Sequence, residues 1–119
     1  MADARDALEA SLKLTPGQFT ARLLLGQVYL GLKDARAAED QFEAALLLQP
    51  NSTEAQLGVA RAQIAEGSFA DAVRALEPLS KSQPDNAEVF ELLAQAYRGM
   101  GKRGEAERVE SRAKNLKRR

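Results

Sequence analysis

Residues 16–50 read PGQFTARLLLGQVYLGLKDARAAEDQFEAALLLQP, a stretch that opens and closes on proline, and Pro84 follows at the same 34-residue spacing. The residues between these prolines recur in register. Gly26, Ala60 and Ala94 share one column, Leu25, Val59 and Leu93 the next. Ala38, Ala72 and Ala106 form a third, with Ala4 one period before them. Leu8, Phe42 and Leu76 form a fourth, and Tyr29 and Tyr97 match with Gln63 between them. A constant interval of this length marks stacked supersecondary units, because each unit buries its apolar side only against its neighbours.

Within each period the apolar residues fall at helical spacing. Residues 3–14 place Ala4, Ala7, Leu8, Ser11 and Leu12 on one face, and Thr15-Pro16-Gly17 ends that helix because proline disfavours helix in the residue before it. Further helices are predicted over about 18–31, 35–48, 52–66, 68–82, 86–99 and 103–117. Asp34 and either Ser52 or Thr53 are the expected N-caps, accepting backbone N–H groups that a first turn leaves free. Gly31, Gly67 and the Gly99-Met100-Gly101 run are the expected stops. Short turns make neighbouring helices antiparallel. Small residues, Gly26 with Ala38, Ala60 with Ala72 and Ala94 with Ala106, are expected to let the axes approach closely. Pro78 sits inside a helix, where it removes a donor and crowds the preceding turn, so a kink is expected near Glu77 with Leu79 in the column of Ala45 and Ala113.

Composition excludes several kinds of chemistry. The 119 residues contain no Cys and no His, so Cys/His zinc sites, thiol catalysis and histidine-based triads are ruled out. Seventeen basic side chains balance seventeen acidic ones, giving no overall pull toward nucleic acid or an anionic membrane. The balance is uneven along the chain. Residues 102–119 carry eight basic and three acidic side chains. Cations at a helix C-terminus are favoured by the macrodipole, the plainer reading of Arg112, Lys114, Lys117, Arg118 and Arg119 against contact with an acidic partner. No run is long and apolar enough to span a bilayer and no signal-peptide pattern is visible, so the default compartment is cytoplasmic.

The set Leu25-Gly26, Tyr29, Ala38, Phe42, Ala45 and Pro50 resembles the tetratricopeptide repeat. The next period agrees through Val59, Ala60, Ala72, Leu76 and Pro84 and departs at Gln63 and Leu79. The third agrees through Leu93, Ala94, Tyr97, Ala106 and Ala113 and departs at Glu110 and Arg118. Arg22, Gln56 and Phe90 stand where the motif often has Trp. The resemblance implies an all-α fold, a right-handed α-solenoid of antiparallel helix pairs with seven helices. It also implies one array over 1–119: the second helix of an incomplete repeat (3–16), then repeats at 18–51, 52–85 and 86–119, the last ending in a polar capping helix.

Enzymatic readings are thin. Glu39-Asp40, Glu88/Glu91 and Glu105/Glu107 read as solvated helix faces rather than acid–base pairs. Gly99-Met100-Gly101 with Gly104 lacks the preceding strand of a phosphate-binding loop and reads as a turn. No catalytic residue, metal site or cofactor is expected. The resemblance instead implies a protein-interaction scaffold whose first helices line a concave groove for a peptide or helix. Carried onto this sequence, the groove residues are Thr20, Leu23, Leu24, Gln27 and Leu30, then Glu54, Leu57, Arg61 and Ile64, then Glu88, Glu91, Gln95 and Arg98. The carboxylate-clamp subclass, which holds chaperone C-termini with basic and Asn side chains, is disfavoured because Leu23, Gln27, Gly58, Glu88 and Leu92 stand at its positions. The alternative is an assembly element, a self-associating unit or part of a longer solenoid, docking through the Leu8/Leu12 side of the first helix. An RNA-binding helical repeat is the outsider, disfavoured by neutral charge.

Overall fold

The computed structural model describes residues 2–14 and 18–118, with side chains over 4–10 and 18–118. All regular structure among the described residues is helical: α1 (Ala2–Leu14), α2 (Phe19–Gly31), α3 (Ala35–Leu48), α4 (Thr53–Glu66), α5 (Phe69–Ser82), α6 (Ala87–Gly99) and α7 (Arg103–Lys117). The stop expected at Thr15-Pro16-Gly17 and the side chain of Leu12 lie outside the described residues.

The caps follow side-chain chemistry. Asp34 accepts from the Ala37 N–H at 3.2 Å, Ser52 from Ala55 at 3.2 Å, and Asn86 from Glu88 at 3.1 Å. Of the two candidates before α4, Ser52 is therefore the cap. Three helices end in the same way, one period apart. Lys33, Gly67 and Gly101 take φ of 64°, 83° and 78°, the left-handed region. The next amide in each case reaches back five residues: Asp34 to Tyr29 (2.9 Å), Ser68 to Gln63 (2.8 Å) and Lys102 to Tyr97 (2.9 Å). This pattern ties up carbonyls that a helix end leaves without partners, and it needs one residue free of the Cβ penalty at positive φ. Two of the three positions have glycine; Lys33 adopts the conformation against its side chain.

The chain forms two compact units, Met1–Ala62 and Gln63–Arg119. In the first, α2 packs on both α1 and α3. Its core joins Leu23, Ala38, Phe42, Ala45, Ala55, Val59 and Ala62, with Phe19, Tyr29, Leu30 and Leu46 at the edge. Phe42 is 1% exposed. Burying such a ring contributes about 1.5–3 kcal/mol. A Cβ added to Gly26 would lie 2.7 Å from that ring, and one on Gly58 nearer still. The ring is thus the closest neighbour of two helix glycines, which explains the small residue at Gly26 more directly than the expected approach to Ala38. Ala21 and Leu25 form a smaller cluster, against which Leu8 and Tyr29 pack.

In the second unit α6 packs against α5 and α7. Phe69, at the start of α5, lies against Gly99 at the end of α6, and Phe90, early in α6, faces Arg112, late in α7. Both pairings require antiparallel neighbours. Ala72, Ala96 and Ala106 are fully buried, as is Leu76. Helix α5 runs unbroken through Pro78 to Ser82. Pro78 is exposed and Leu79 is 5% exposed, so Leu79 takes the inward column as expected. Ser80 and Ser82 donate through their hydroxyls to the carbonyls of Glu77 and Leu79 in this turn.

Candidate functional site

The residues expected to line a groove divide by burial. On α2, Thr20, Leu24 and Gln27 are exposed at i, i+4 and i+7, one stripe of the helix, and Leu24 keeps 44% of its surface open. Leu23 and Leu57 are 7% and 5% exposed. Leu23 joins the Phe42 core, so its side chain serves packing. Leu30 is half-buried at the edge of the same core. On α4, Glu54 is exposed, while Arg61 and Ile64 are half-buried. On α6, Glu88 and Glu91 are half-buried, and Gln95 and Arg98 are exposed, all on one face.

The α6 charges do not stand alone. Arg98 pairs with Glu110 of α7, and Lys117 of α7 pairs with Glu91. Lys114 reaches Glu110 at 3.7 Å. The hydrogen bond from Arg98 holds the Glu110 carboxyl below its ordinary range. Arg112 donates to the Pro84 carbonyl at 2.9 Å and sits 5.8 Å from the centre of the Phe90 ring. Arg112 and Lys117 of the basic end are therefore engaged with α6 and the turn before it. Charge counting could not show this, since the partners come from another helix. Glu110, which departs from the repeat pattern, becomes the centre of a three-residue ion cluster.

A second polar feature repeats along the chain. Tyr29 donates to Glu9, and Tyr97 donates to Glu77 at 3.3 Å. Both phenols are pushed up from 10.0, Tyr29 chiefly by its hydrogen bond to Glu9 and Tyr97 chiefly by burial. Glu43, the acid one period after Glu9, is pushed up from 4.5 by partial desolvation and then by its hydrogen bond with Glu39.

Two concavities complete the picture. In the first unit a cavity of about 470 Å³ opens between α1 and α2, lined by Ala4, Ala7, Leu8, Leu24, Gln27 and Val28. Leu8, on the side of the first helix expected to dock a partner, is half-buried against Ala21 and Leu25 and forms one wall of this cavity. In the second unit a cleft of about 500 Å³ lies among α5, α6 and α7, with Phe90, Leu93, Tyr97 and Val109 on its floor. The sequence reading missed this cleft. Its one signal was Phe90 at the column where the repeat often carries Trp. Among the described residues no group of acidic side chains is arranged to hold a metal ion. Among them, too, no helix is long and apolar enough to cross a membrane.

Helix pairs, the recurring cap and the small-residue columns together define a helical-repeat protein. The tetratricopeptide repeat model matches residues 1–56 and 30–96, and the chain belongs to that family. The fold is all-α and of the tetratricopeptide solenoid class. The crystal structure of MamA aligns at a TM-score of 0.86 with 21% identity, covering 95% of this chain and 66% of that one. A second MamA structure, from AMB-1, aligns at 0.87 with 21% identity, covering 96% and 68%. A tetratricopeptide repeat protein from Parabacteroides merdae aligns at 0.76 with 25% identity, covering 88% of this chain and 41% of that one. The chain thus spans just under two thirds of the length of the first of these. A search of curated protein sequences found no significant match. Proteins of this family serve in general as non-catalytic scaffolds for protein partners.

Proposed function

We infer that this chain is a non-catalytic adaptor that holds a segment of a partner protein against the outward faces of its first helices. The observation that carries the reading is the division of labour on α2 and α6. One face of each helix is committed to the core, while Thr20, Leu24 and Gln27 on α2, and Gln95 and Arg98 on α6, remain open. Rigid helices present such side chains with little ordering cost on binding, and an open leucine beside polar groups suits an amphipathic helix or extended segment with apolar anchors. The paired Glu91 and Arg98 offer hydrogen-bonding edges rather than bare charge.

The test begins with selection of a binding peptide from a displayed library on the full chain. Arg61→Ala, Gln95→Ala and Leu24→Ser variants are then titrated, with circular dichroism confirming the fold. Each is expected to weaken the selected peptide several-fold. Unchanged affinity in all three removes these faces from consideration.

A second reading, assembly through the N-terminal helix pair, has its own observation. One period after Ala4, Leu8, Leu24 and Val28 of the α1–α2 cavity stand Ala38, Phe42, Gly58 and Ala62, all buried. There α2 supplies the cover, through Leu23 in the shared core and Gly26 against the Phe42 ring. The equivalent seat over Ala4, Leu8, Leu24 and Val28 is open among the described residues. Light scattering across concentration tests self-association, with Leu24→Glu expected to restore a monomer. A wild-type chain that is monomeric throughout rejects self-association.

A further inference from the structure

We propose that the cleft among α5, α6 and α7 is a separate binding site for an acidic peptide segment, taking an aromatic or aliphatic side chain on its floor and the adjacent carboxylates on its rim. The floor is apolar: Leu93, Tyr97 and Val109 are 3%, 9% and 9% exposed, and the half-buried Phe90 ring lies beside them. A volume of about 500 Å³ falls within the range of ligand pockets and has room for one or two side chains.

The rim is cationic. Lys81, Arg108 and Arg112 line the cleft against a single carboxylate, Glu77. Glu77 already accepts the Tyr97 hydroxyl, and Arg112 is held by Pro84, by Asp85 at 3.9 Å and by the Phe90 ring. Lys81 and Arg108 are exposed, and neither is engaged in an ion pair among the described residues. Two cations therefore stand unpaired at the mouth of an apolar pocket whose lining holds one carboxylate, Glu77. Charge complementarity calls for a carboxylate-bearing partner, and an apolar floor with a charged rim is the usual arrangement of a specific pocket.

The fold itself does not demand this arrangement. Two periods earlier the places of Phe90, Val109 and Arg112 are held by Arg22, Gln41 and Ala44, and Arg22 donates to Gln41 at 3.0 Å. One period earlier they are held by Gln56, Ala75 and Pro78. Phenylalanine, valine and two arginines come together only in the last period. The cleft also lies on the opposite side of α6 from Glu91, Gln95 and Arg98, so a ligand here leaves the first-helix face unobstructed.

The probe is a short fluorescein-labelled peptide with one phenylalanine flanked on each side by glutamate and aspartate, followed by anisotropy on the full chain. Saturable binding is expected. Lys81→Glu and Arg108→Glu are each expected to weaken it about tenfold. Lys102→Glu, an equal charge change outside the cleft, and Gln95→Ala, on the other face, are expected to leave it unchanged. The peptide with its acids replaced by amides, and that with phenylalanine replaced by glycine, are expected to lose binding. No binding by the wild-type chain overturns the proposal, as does equal weakening by Lys102→Glu. Displacement of the peptide by a short oligothymidylate overturns it in favour of phosphate recognition.

Discussion

The Tyr97 hydroxyl donates to Glu77 across the α5–α6 interface, and two periods earlier Tyr29 donates to Glu9 across α1 and α2. The bond sits at the edge of buried apolar surface, so each tyrosine fills space with its ring and satisfies its polar end locally. Tyr97→Phe is expected to lower stability by about 0.5–1.5 kcal/mol. A double-mutant cycle with Glu77→Gln in urea unfolding measures the coupling. A coupling of zero would mean that the ring alone matters.

Phe42 sets the tolerance of two glycines. Gly58→Ala gains helix propensity but drives a methyl into a ring that is only 1% exposed and cannot swing out. Overpacking costs typically 1–3 kcal/mol, so a net loss of about 1–2 kcal/mol is expected. Gly104→Ala is the matched control. Nothing lies within 4 Å of a Cβ there, and stability is expected to rise by up to about 1 kcal/mol. Thermal midpoints of the two variants should move in opposite directions.

Lys33 occupies the position that glycine holds one and two periods later, at φ 64°. A side chain in the left-handed region costs roughly 1–2 kcal/mol. Lys33→Gly removes that strain while loosening the unfolded chain, leaving a gain of about 0.5–1 kcal/mol. Gly67→Ala is expected to lose a comparable amount. Chemical denaturation of both variants tests whether the three turns share one requirement.

The Glu110 carboxyl is held below its ordinary 4.5 by the hydrogen bond from Arg98. A depressed carboxylate stabilises the fold fully above its unfolded value and loses that contribution as pH falls through its folded value. Wild-type stability should therefore drop on acidification below about pH 4.5 more steeply than that of Glu110→Gln. The pair is solvent-exposed, so the difference should be small and should shrink further in high salt. Urea midpoints from pH 6 down to pH 3, at two salt concentrations, make the comparison.

The helix order and nearly every helix end were legible because periodicity, glycine, proline and capping residues act locally. Asp34, Ser52 and Asn86 cap through neighbours three residues away or fewer, and such contacts can be read along the chain. The candidate site was legible only in outline. Thr20, Leu24, Gln27, Gln95 and Arg98 face outward, but Leu23 and Leu57 belong to the packed interior, and their spacing alone did not separate the two outcomes. A solvent stripe and a contact stripe on a helix differ by only one or two positions, and the neighbouring helix decides which is which.

The chain by itself determined the repeat, the seven helices, the absence of thiol and imidazole chemistry, and the family. These depend on residue identity at fixed intervals. Only the tertiary structure decided that Lys117 of the basic tail pairs with Glu91 of α6, that Phe42 abuts two glycines, and that Phe90, Lys81 and Arg108 surround one cleft. The reason is physical: ion pairs, ring contacts and cavities join residues on different helices, and side-chain distance between helices is set by packing rather than by sequence separation.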